Sequence, residues 1–431
     1  MLRIETTDPE FEIAFAELLE RSEEEVDGIA ERTRRIISDV RKDGDKALDK
    51  YTRLLDDADV SGDALFVSEA EIEEGIAACD SNALAALERA AARIEAYHKR
   101  QLPADDRWDD EMGVTLGWRW TPIDAVGLYV PGGTASYPSS VLMNAIPAKV
   151  AGAGRIVIAT PAKGGTVNPL VLAAAHLAGV SEIIKVGGAQ AVAALAYGTE
   201  RIAPVDKIVG PGNAYVAEAK RQVFGHVGID SIAGPSEITV IAEGGFERAL
   251  VAADLLSQSE HDALSQSIVL TTSDVLTAAV EDTVAEQLVD HPRKAIAGAA
   301  WENQGAIIRC QSLDEAVDLA NRIAPEHLEL LVNDPEALLP KVKHAGAVFL
   351  GPYTPEAIGD YVGGPSHVLP TSGAARFTSG LSVLDFLKRM SVTGCSWEAF
   401  EAIGPDAVTL ADAEGLPSHS ASVTLRLQQG R

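Results

Sequence analysis

Between Ile123 and Phe224, short apolar runs alternate regularly with longer helix-forming ones. Ala125–Val130, Arg155–Thr160, Glu182–Val186 and Asp206–Val209 are short and rich in β-branched residues, and read as buried strands. The intervening stretches Ser139–Ala153, Pro169–Ala178, Gln190–Tyr197 and Ala214–Phe224 read as helices. Strand alternating with helix predicts right-handed crossovers and a parallel sheet covered on both faces. A second unit follows. Ser231–Ala242 reads as a strand pair turning at Gly234-Pro235-Ser236-Glu237. A helix begins near Phe246, with Ala249, Ala252, Ala253 and Leu256 as its apolar stripe. Strands at Ser267–Thr272, Ala306–Arg309 and Ala347–Leu350 alternate with helices at Val275–Val289 and Leu313–Arg322.

The expected fold is α/β: two Rossmann-like doubly wound parallel-sheet domains with small helical N-terminal and C-terminal extensions. Residues 1–25 form the N-terminal extension, 26–122 with 240–380 the first domain, 123–239 a domain inserted into it, and 381–431 the C-terminal extension. Asp8 to Arg41 and Ser81 to His98 read as helices, with Glu23-Glu24-Glu25 a solvated face. Asp105–Trp120 leads into the first sheet. Ser379–Ile403 reads as helix, Thr409–His419 as loop and Ala421–Leu427 as a closing strand.

Charge narrows the function classes. The 431 residues carry 36 Lys and Arg against 64 Asp and Glu, a net charge of −28 that repels nucleic-acid phosphates and anionic membranes. The acidity is spread along the chain, as expected of a salt-adapted surface; an ordinary acidic enzyme is the alternative, and full structure and activity in dilute buffer would favour it. No apolar run approaches the length of about 18 residues needed to span a membrane. Met1–Glu5 lacks a signal core. Cys79, Cys310 and Cys395 are far apart, which fits a reducing cytoplasm.

Three strands of the first unit end in glycine-rich turns, at Gly132-Gly133, Gly187-Gly188 and Gly210-Pro211-Gly212, each followed by a helix N-terminus. Such rims suit a phosphate-bearing ligand. None is G-x-G-x-x-G and no acidic residue stands at the expected spacing, so plain turns remain the alternative. Polar clusters gather in the second half: Gln258 with Glu260 and His261, Glu326-His327, Gly359-Asp360-Tyr361, His367, and Ser418-His419. Gln258 and His261 are three apart and share one face of a helix. Each cluster alone has a bland reading as a cap, turn or solvated end. Together they supply nitrogen and oxygen ligands suited to zinc, with a Glu and a His to spare.

These segments resemble the histidinol dehydrogenase family. The matching residues are Tyr129-Val130-Pro131-Gly132-Gly133, Val186-Gly187-Gly188-Ala189-Gln190-Ala191, Gly210-Pro211-Gly212-Asn213, Ala233-Gly234-Pro235-Ser236-Glu237, Gln258-Ser259-Glu260-His261, Pro325-Glu326-His327, Gly359-Asp360-Tyr361, His367-Val368-Leu369-Pro370-Thr371 and Val423-Thr424-Leu425-Arg426. The resemblance implies oxidation of L-histidinol to L-histidine through L-histidinal, with two NAD and one zinc ion per site, in the cytoplasm. By it, Gln258, His261, Asp360 and His419 ligate zinc. Glu326 and His327 form the catalytic pair. Ser236 and Glu414 join Gln258, His261, His327, Asp360 and His419 in binding substrate, and Tyr129, Gln190 and Asn213 contact NAD on the inserted domain. It also implies a homodimer, with Glu414 and His419 donated in trans. The chemistry agrees: a His can take the hydroxyl proton near neutrality, and a Glu can activate the water that hydrates the aldehyde. Adjacent residues on a helix or turn point about 100° apart, toward different faces of one carbon. A zinc hydrolase using Glu326 as base is the alternative from another class.

Overall fold

The computed structural model describes residues 1–20, 28–132, 137–232 and 234–430; Glu23-Glu24-Glu25 lie outside them. The chain opens with β1 (Leu2–Glu5) and α1 (Phe11–Leu19), then α2 (Ile29–Asp43), α3 (Asp45–Leu55), α4 (Glu69–Ala78) and α5 (Ser81–Lys99). After β2 (Asp106–Asp109) and β3 (Val114–Pro122) comes the first alternating unit. It runs β4 (Ala125–Tyr129), α6 (Pro138–Ala151), β5 (Arg155–Ala159), α7 (Pro169–Ala178), β6 (Glu182–Ile184), α8 (Gly188–Tyr197), β7 (Lys207–Val209), α9 (Ala214–Val223) and β8 (Gly228–Ile229). The second runs β9 (Glu237–Ala242), α10 (Arg248–Ser259), β10 (Gln266–Thr271), α11 (Asp274–Leu288), α12 (Lys294–Gln304), β11 (Ala306–Arg309), α13 (Leu313–Ile323), β12 (His327–Leu331), α14 (Pro335–Leu338) and β13 (Ala347–Leu350). Last are α15 (Glu356–Tyr361), β14 (Leu387–Cys395), α16 (Trp397–Ala413) and α17 (Pro417–Gln429).

Both large sheets are wholly parallel, as expected. The first has order β6-β5-β4-β7-β8 and the second β1-β11-β10-β9-β12-β13. Numbered within its own unit, each reads 3-2-1-4-5, the doubly wound order, and β1 adds an outer strand to the second. The order follows from the residues. Val126, Leu128, Ile158 and Ile183 are buried on one face of the first sheet with Leu142, Met143 and Val171 of the covering helices. Ala191, Val192, Leu195 and Ile208 fill the other face.

The N-terminal half departs from expectation. The N-terminal segment starts as a strand, and Phe11 and Phe15 of α1 are buried in the core of the second sheet. Helices α2 to α5, expected beside the second sheet, pack on the first: Ile36, Val40 and Leu48 on one face, Ile72 and Ile94 on the other. Their apolar stripes fit whichever sheet they meet, so periodicity alone could not choose. The segment around Asp105–Trp120 does not enter the first sheet; β2 and β3 join β14 in a separate antiparallel sheet.

Three further elements differ. Among the described residues Ser231–Ala242 holds one strand, β9, which sits inside the second sheet, while the short β8 before it ends the first. Ser379–Ile403 contains β14, whose nine residues all pair with β3. The expected closing strand Ala421–Leu427 lies within helix α17. Pro417 opens that helix, where a missing N–H costs nothing. Val423 and Leu427, four apart, pack together over Gly404 of α16. Their alternation with Ala421 and Leu425 mimics a strand.

Gly210 ends β7 at φ 108°, and a Cβ there would lie 2.2 Å from the Tyr129 carbonyl oxygen. Gly210→Ala therefore combines backbone strain with a backbone clash, and should lose at least about 2 kcal/mol. A shift of the urea midpoint measures it, and an unshifted midpoint would contradict the close approach.

Candidate active site

Helix α13 ends on Ala324, held at φ 51°, and Pro325 prevents its continuation. Glu326 follows and His327 is the first residue of β12, so the pair stands at a strand entrance and not on the helix or turn expected. The neighbouring strand fixes both. The Glu237 N–H donates to Glu326 Oε2 at 2.9 Å, and His327 Nδ1 lies 2.9 Å from the Glu237 carbonyl. A carbonyl only accepts, so Nδ1 carries hydrogen, and in the neutral ring the lone pair is on Nε2. Nε2 is buried without a hydrogen-bond partner, 3.8 Å from Asp360 Oδ1 and 3.9 Å from Glu356 Oε1. Phe349 stacks on the ring at 5.9 Å.

The site is crowded with carboxyl groups. Burial alone would push His327 down, but Glu326, Asp360 and Glu356 outweigh it and hold the imidazole up at about 9. Asp360 goes the other way: burial would raise it, and His327 and His367 instead hold it well below the usual carboxylate range. Burial, and then Asp360, pushes Glu356 up. One layer deeper, burial and the Asp254 carboxyl push Glu329 up, while Glu329 Oε1 accepts the Glu356 N–H at 2.6 Å. Ser257 Oγ donates to Glu356 Oε2 at 3.1 Å, tying α10 to α15.

Ligand atoms of His327, Glu356 and Asp360 all lie within 4.8 Å of one another, which makes them a candidate metal cluster. Gln258 adds to it. Its side chain, on the last turn of α10, is 1% exposed, and neither amide atom has a partner. Such an amide costs free energy unless something fills its lone pair. His261 lies just past the helix end. Solvent reaches it, yet the surrounding protein holds its imidazole below the ordinary range, and Asp360 raises it only part-way back. Ser236 directly precedes β9, and its carbonyl accepts the Gln266 N–H at 3.0 Å. Glu414 and His419 are exposed on the α16–α17 hairpin, and the fold does not bury them with the other candidates within one chain.

The second group of candidates gathers at the carboxyl rim of the first sheet. Tyr129 Oη accepts the Gly188 N–H at 3.0 Å, and burial pushes its phenol up to about 12. Gln190 donates to Asp56 Oδ2 at 3.2 Å, and Asn213 Oδ1 caps α9 through Tyr215 and Val216. His367 joins the two groups. Its Nδ1 lies 3.0 Å from the Asp360 carbonyl and its Nε2 lies 3.2 Å from Ser140 Oγ in the first turn of α6.

Sequence reasoning missed Asp254, Glu329 and Glu356, and each carried a signal. Asp254 lies four residues before Gln258, and Glu356 four before Asp360, one helical turn in each case. Glu329 shares a strand face with His327 and is charged in an otherwise apolar strand.

Two doubly wound sheets, one presenting a glycine-rich rim and the other a buried acid–base cluster, make an α/β enzyme. Comparison with known proteins assigns the chemistry. The family model described as histidinol dehydrogenase matches residues 19–427. Histidinol dehydrogenase of Rhodopseudomonas palustris is 57% identical over 428 residues, 99% of each chain. That of Rhizobium meliloti is 56% identical, covering 100% of this chain and 99% of its own. The crystal structure of histidinol dehydrogenase from Elizabethkingia anophelis superposes with a TM-score of 0.94 at 37% identity, covering 100% of this chain and 98% of that one. The chain belongs to the histidinol dehydrogenase family, oxidoreductases of the final steps of histidine biosynthesis. Histidinol as substrate follows, and the hydrolase alternative falls away. Among the described residues no helix is long and apolar enough to cross a membrane.

Glu329 binds its proton more tightly folded than unfolded. Its contribution is complete below the ordinary carboxylate range and is lost as pH rises toward the raised folded value. Glu329→Gln removes that loss, so its thermal midpoint should gain on wild type between pH 5 and pH 9. Parallel pH profiles for the two proteins would contradict the raised carboxyl.

Proposed function

We propose that one site performs both oxidations, L-histidinol to L-histidinal and then to L-histidine, passing a hydride each time to NAD. The observation that carries this reading is His327, with Nδ1 pinned to the Glu237 carbonyl and Nε2 buried, unpartnered and facing Asp360. In the first step Nε2 takes the hydroxyl proton while the carbinol hydride leaves. As water adds to the aldehyde, Glu326 takes a proton from it and His327 Nε2 returns its own proton to the former carbonyl oxygen, so that the freed Nε2 can accept the second hydroxyl proton as the hydrate loses the second hydride. Burial of Glu326 and His327, with Phe349 against the imidazole, keeps bulk water from the proton transfer.

The residues fit a divalent metal. The unpartnered Gln258 amide and the Asp360 carboxylate stand on adjoining elements, beside His261. We assign zinc to Gln258, His261 and Asp360, with His419 supplied by the second chain of a homodimer. When bound, zinc would anchor and orient the substrate's imidazole and amine. Such a cation would also offset the carboxylate field that holds His327 charged. Ser236, and Glu414 from the partner chain, complete the substrate contacts, and Tyr129, Gln190 and Asn213 hold NAD on the unit of residues 123–239. A cytoplasmic location is part of the same reading.

His327→Asn should lower kcat about 10²- to 10⁴-fold, the usual worth of a general base, while metal content by elemental analysis stays unchanged. Near-normal turnover would sink the assignment. His419→Asn should lose metal, and mixing it with His327→Asn should restore activity through hybrid dimers in which one site is intact; mixtures as inactive as their parents would count against donation in trans.

A further inference from the structure

Doubly wound dinucleotide sheets usually hold the adenosine ribose with an acidic residue at the end of their second strand. Here that strand, β5, runs into Thr160-Pro161-Ala162 and offers none. The structure brings a carboxylate to the place from far away in the chain. Asp56 follows α3, and its Oδ2 accepts the Gly187 N–H at 3.1 Å and the Gln190 amide at 3.2 Å. Gly187 packs against Pro161, where an added Cβ would lie 2.7 Å from the Pro161 Cβ. Asp56 therefore sits where the ends of β5 and β6 meet.

Several features fit this carboxylate to a ligand. Among the described residues it has no ion pair, and only neutral N–H groups donate to it. Its Oδ1 remains available beside Gly187. Gln190 is fully buried, and its Oε1 has no partner. The segment is also clamped. Arg201 pairs with Asp45 at 2.8 Å and Asp49 at 2.7 Å, and donates to the carbonyls of Val60 and Gly62 at 2.7 and 2.8 Å. Both ends of the stretch are thus fixed to the first sheet, and Asp57 between them is held at φ 51°, in the left-handed region.

We propose that Asp56 accepts the adenosine ribose hydroxyls of the dinucleotide and selects NAD over NADP. A hydroxyl can donate to the uncompensated carboxylate, whereas a 2′-phosphate meets an uncompensated like charge. The N-terminus of α8 already holds the Asp56 carboxylate, so the pyrophosphate is not seated there. The proposal rests on NAD being the hydride acceptor.

The test measures NADH and NADPH formation with L-histidinol saturating, for wild type and Asp56→Asn. Asparagine keeps an oxygen for the Gly187 N–H, and matched thermal midpoints check the fold. Wild type should prefer NAD. Asp56→Asn should raise KM for NAD with little change in kcat, and lower the NAD-to-NADP preference about tenfold or more, the effect of losing one charge-assisted hydrogen bond. An unchanged preference in the folded variant would overturn the role of Asp56. A second measurement needs no variant: adenosine 2′,5′-bisphosphate should compete with NAD far more weakly than 5′-AMP at the wild-type enzyme, and equal competition would overturn the proposal. A wild type that reduces no NAD would defeat the cofactor reading itself and this proposal with it.

Discussion

The site depends on setting the carboxyl rim of one parallel sheet against the amino end of another. In a doubly wound unit, helices begin at the carboxyl rim and end at the amino edge. Their N-termini carry partial positive charge and their C-termini partial negative charge. The first sheet thus offers the N-terminus of α9 at Asn213, a setting for a polar or anionic ligand, while that of α8 already holds the Asp56 carboxylate. The second offers the C-terminus of α10, with Gln258 on its last turn and His261 just beyond, a setting that favours a cation. His327 and Glu326 enter at the same amino edge. The hydrogen bonds of His367 to Asp360 and Ser140 join the two edges, and Arg93 reinforces the junction by donating to the carbonyls of Val362 and Gly363. Helix ends of opposite sign thus meet at the junction of the two sheets.

Concentrating carboxyl groups there is costly. Asp254, Glu326, Glu329, Glu356 and Asp360 surround or underlie one imidazole, and they cannot all be ionised in so little water. The structure shares out the charge. Asp360 stays ionised beside two histidines, while Glu329 and Glu356 are pushed toward their neutral forms. Neutral acids can donate as well as accept, so they hold α10, α15 and β12 together without adding to the repulsion. A bound divalent cation would bring the missing positive charge.

Much of this was legible in sequence because it is local. The alternation from Ile123 to Phe224 marked four of the first sheet's five strands, missing only the two-residue β8, and helix Pro169–Ala178 matches to the residue. The failures were non-local. Whether α2 to α5 covered the first sheet or the second was decided by which apolar stripe they met. The strand β14 is mostly solvent-facing and lacks the apolar run of a buried strand. In the site, Gln258, His261, Glu326, His327 and Asp360 were found as motifs. Glu356 and Asp254 were visible only as one-turn companions of those residues, a weak signal among 64 acidic side chains. Asp56 had no signal, since its meaning depends on a tertiary contact with Gly187.

The exposed surface bears on the proposed dimer. Glu414 and His419 lie on a hairpin whose Leu410, Leu416 and Leu425 face solvent, Leu410 at 63% exposure. On α15, Ile358 and Tyr361 stand near Asp360 in the chain and are also exposed, Tyr361 at 59%. A strongly acidic protein gains solubility from its charges, so apolar side chains beside candidate site residues on both surfaces ask for a cover. If the hairpin of one chain covers the α15 face of another, it buries both sets of apolar groups and delivers His419 toward Asp360 in the same movement. A twofold axis would repeat the contact, so each site would be completed by the chain whose own site it completes. The fit between apolar surface and incomplete ligand set supports donation in trans, because neither feature is satisfied within one chain.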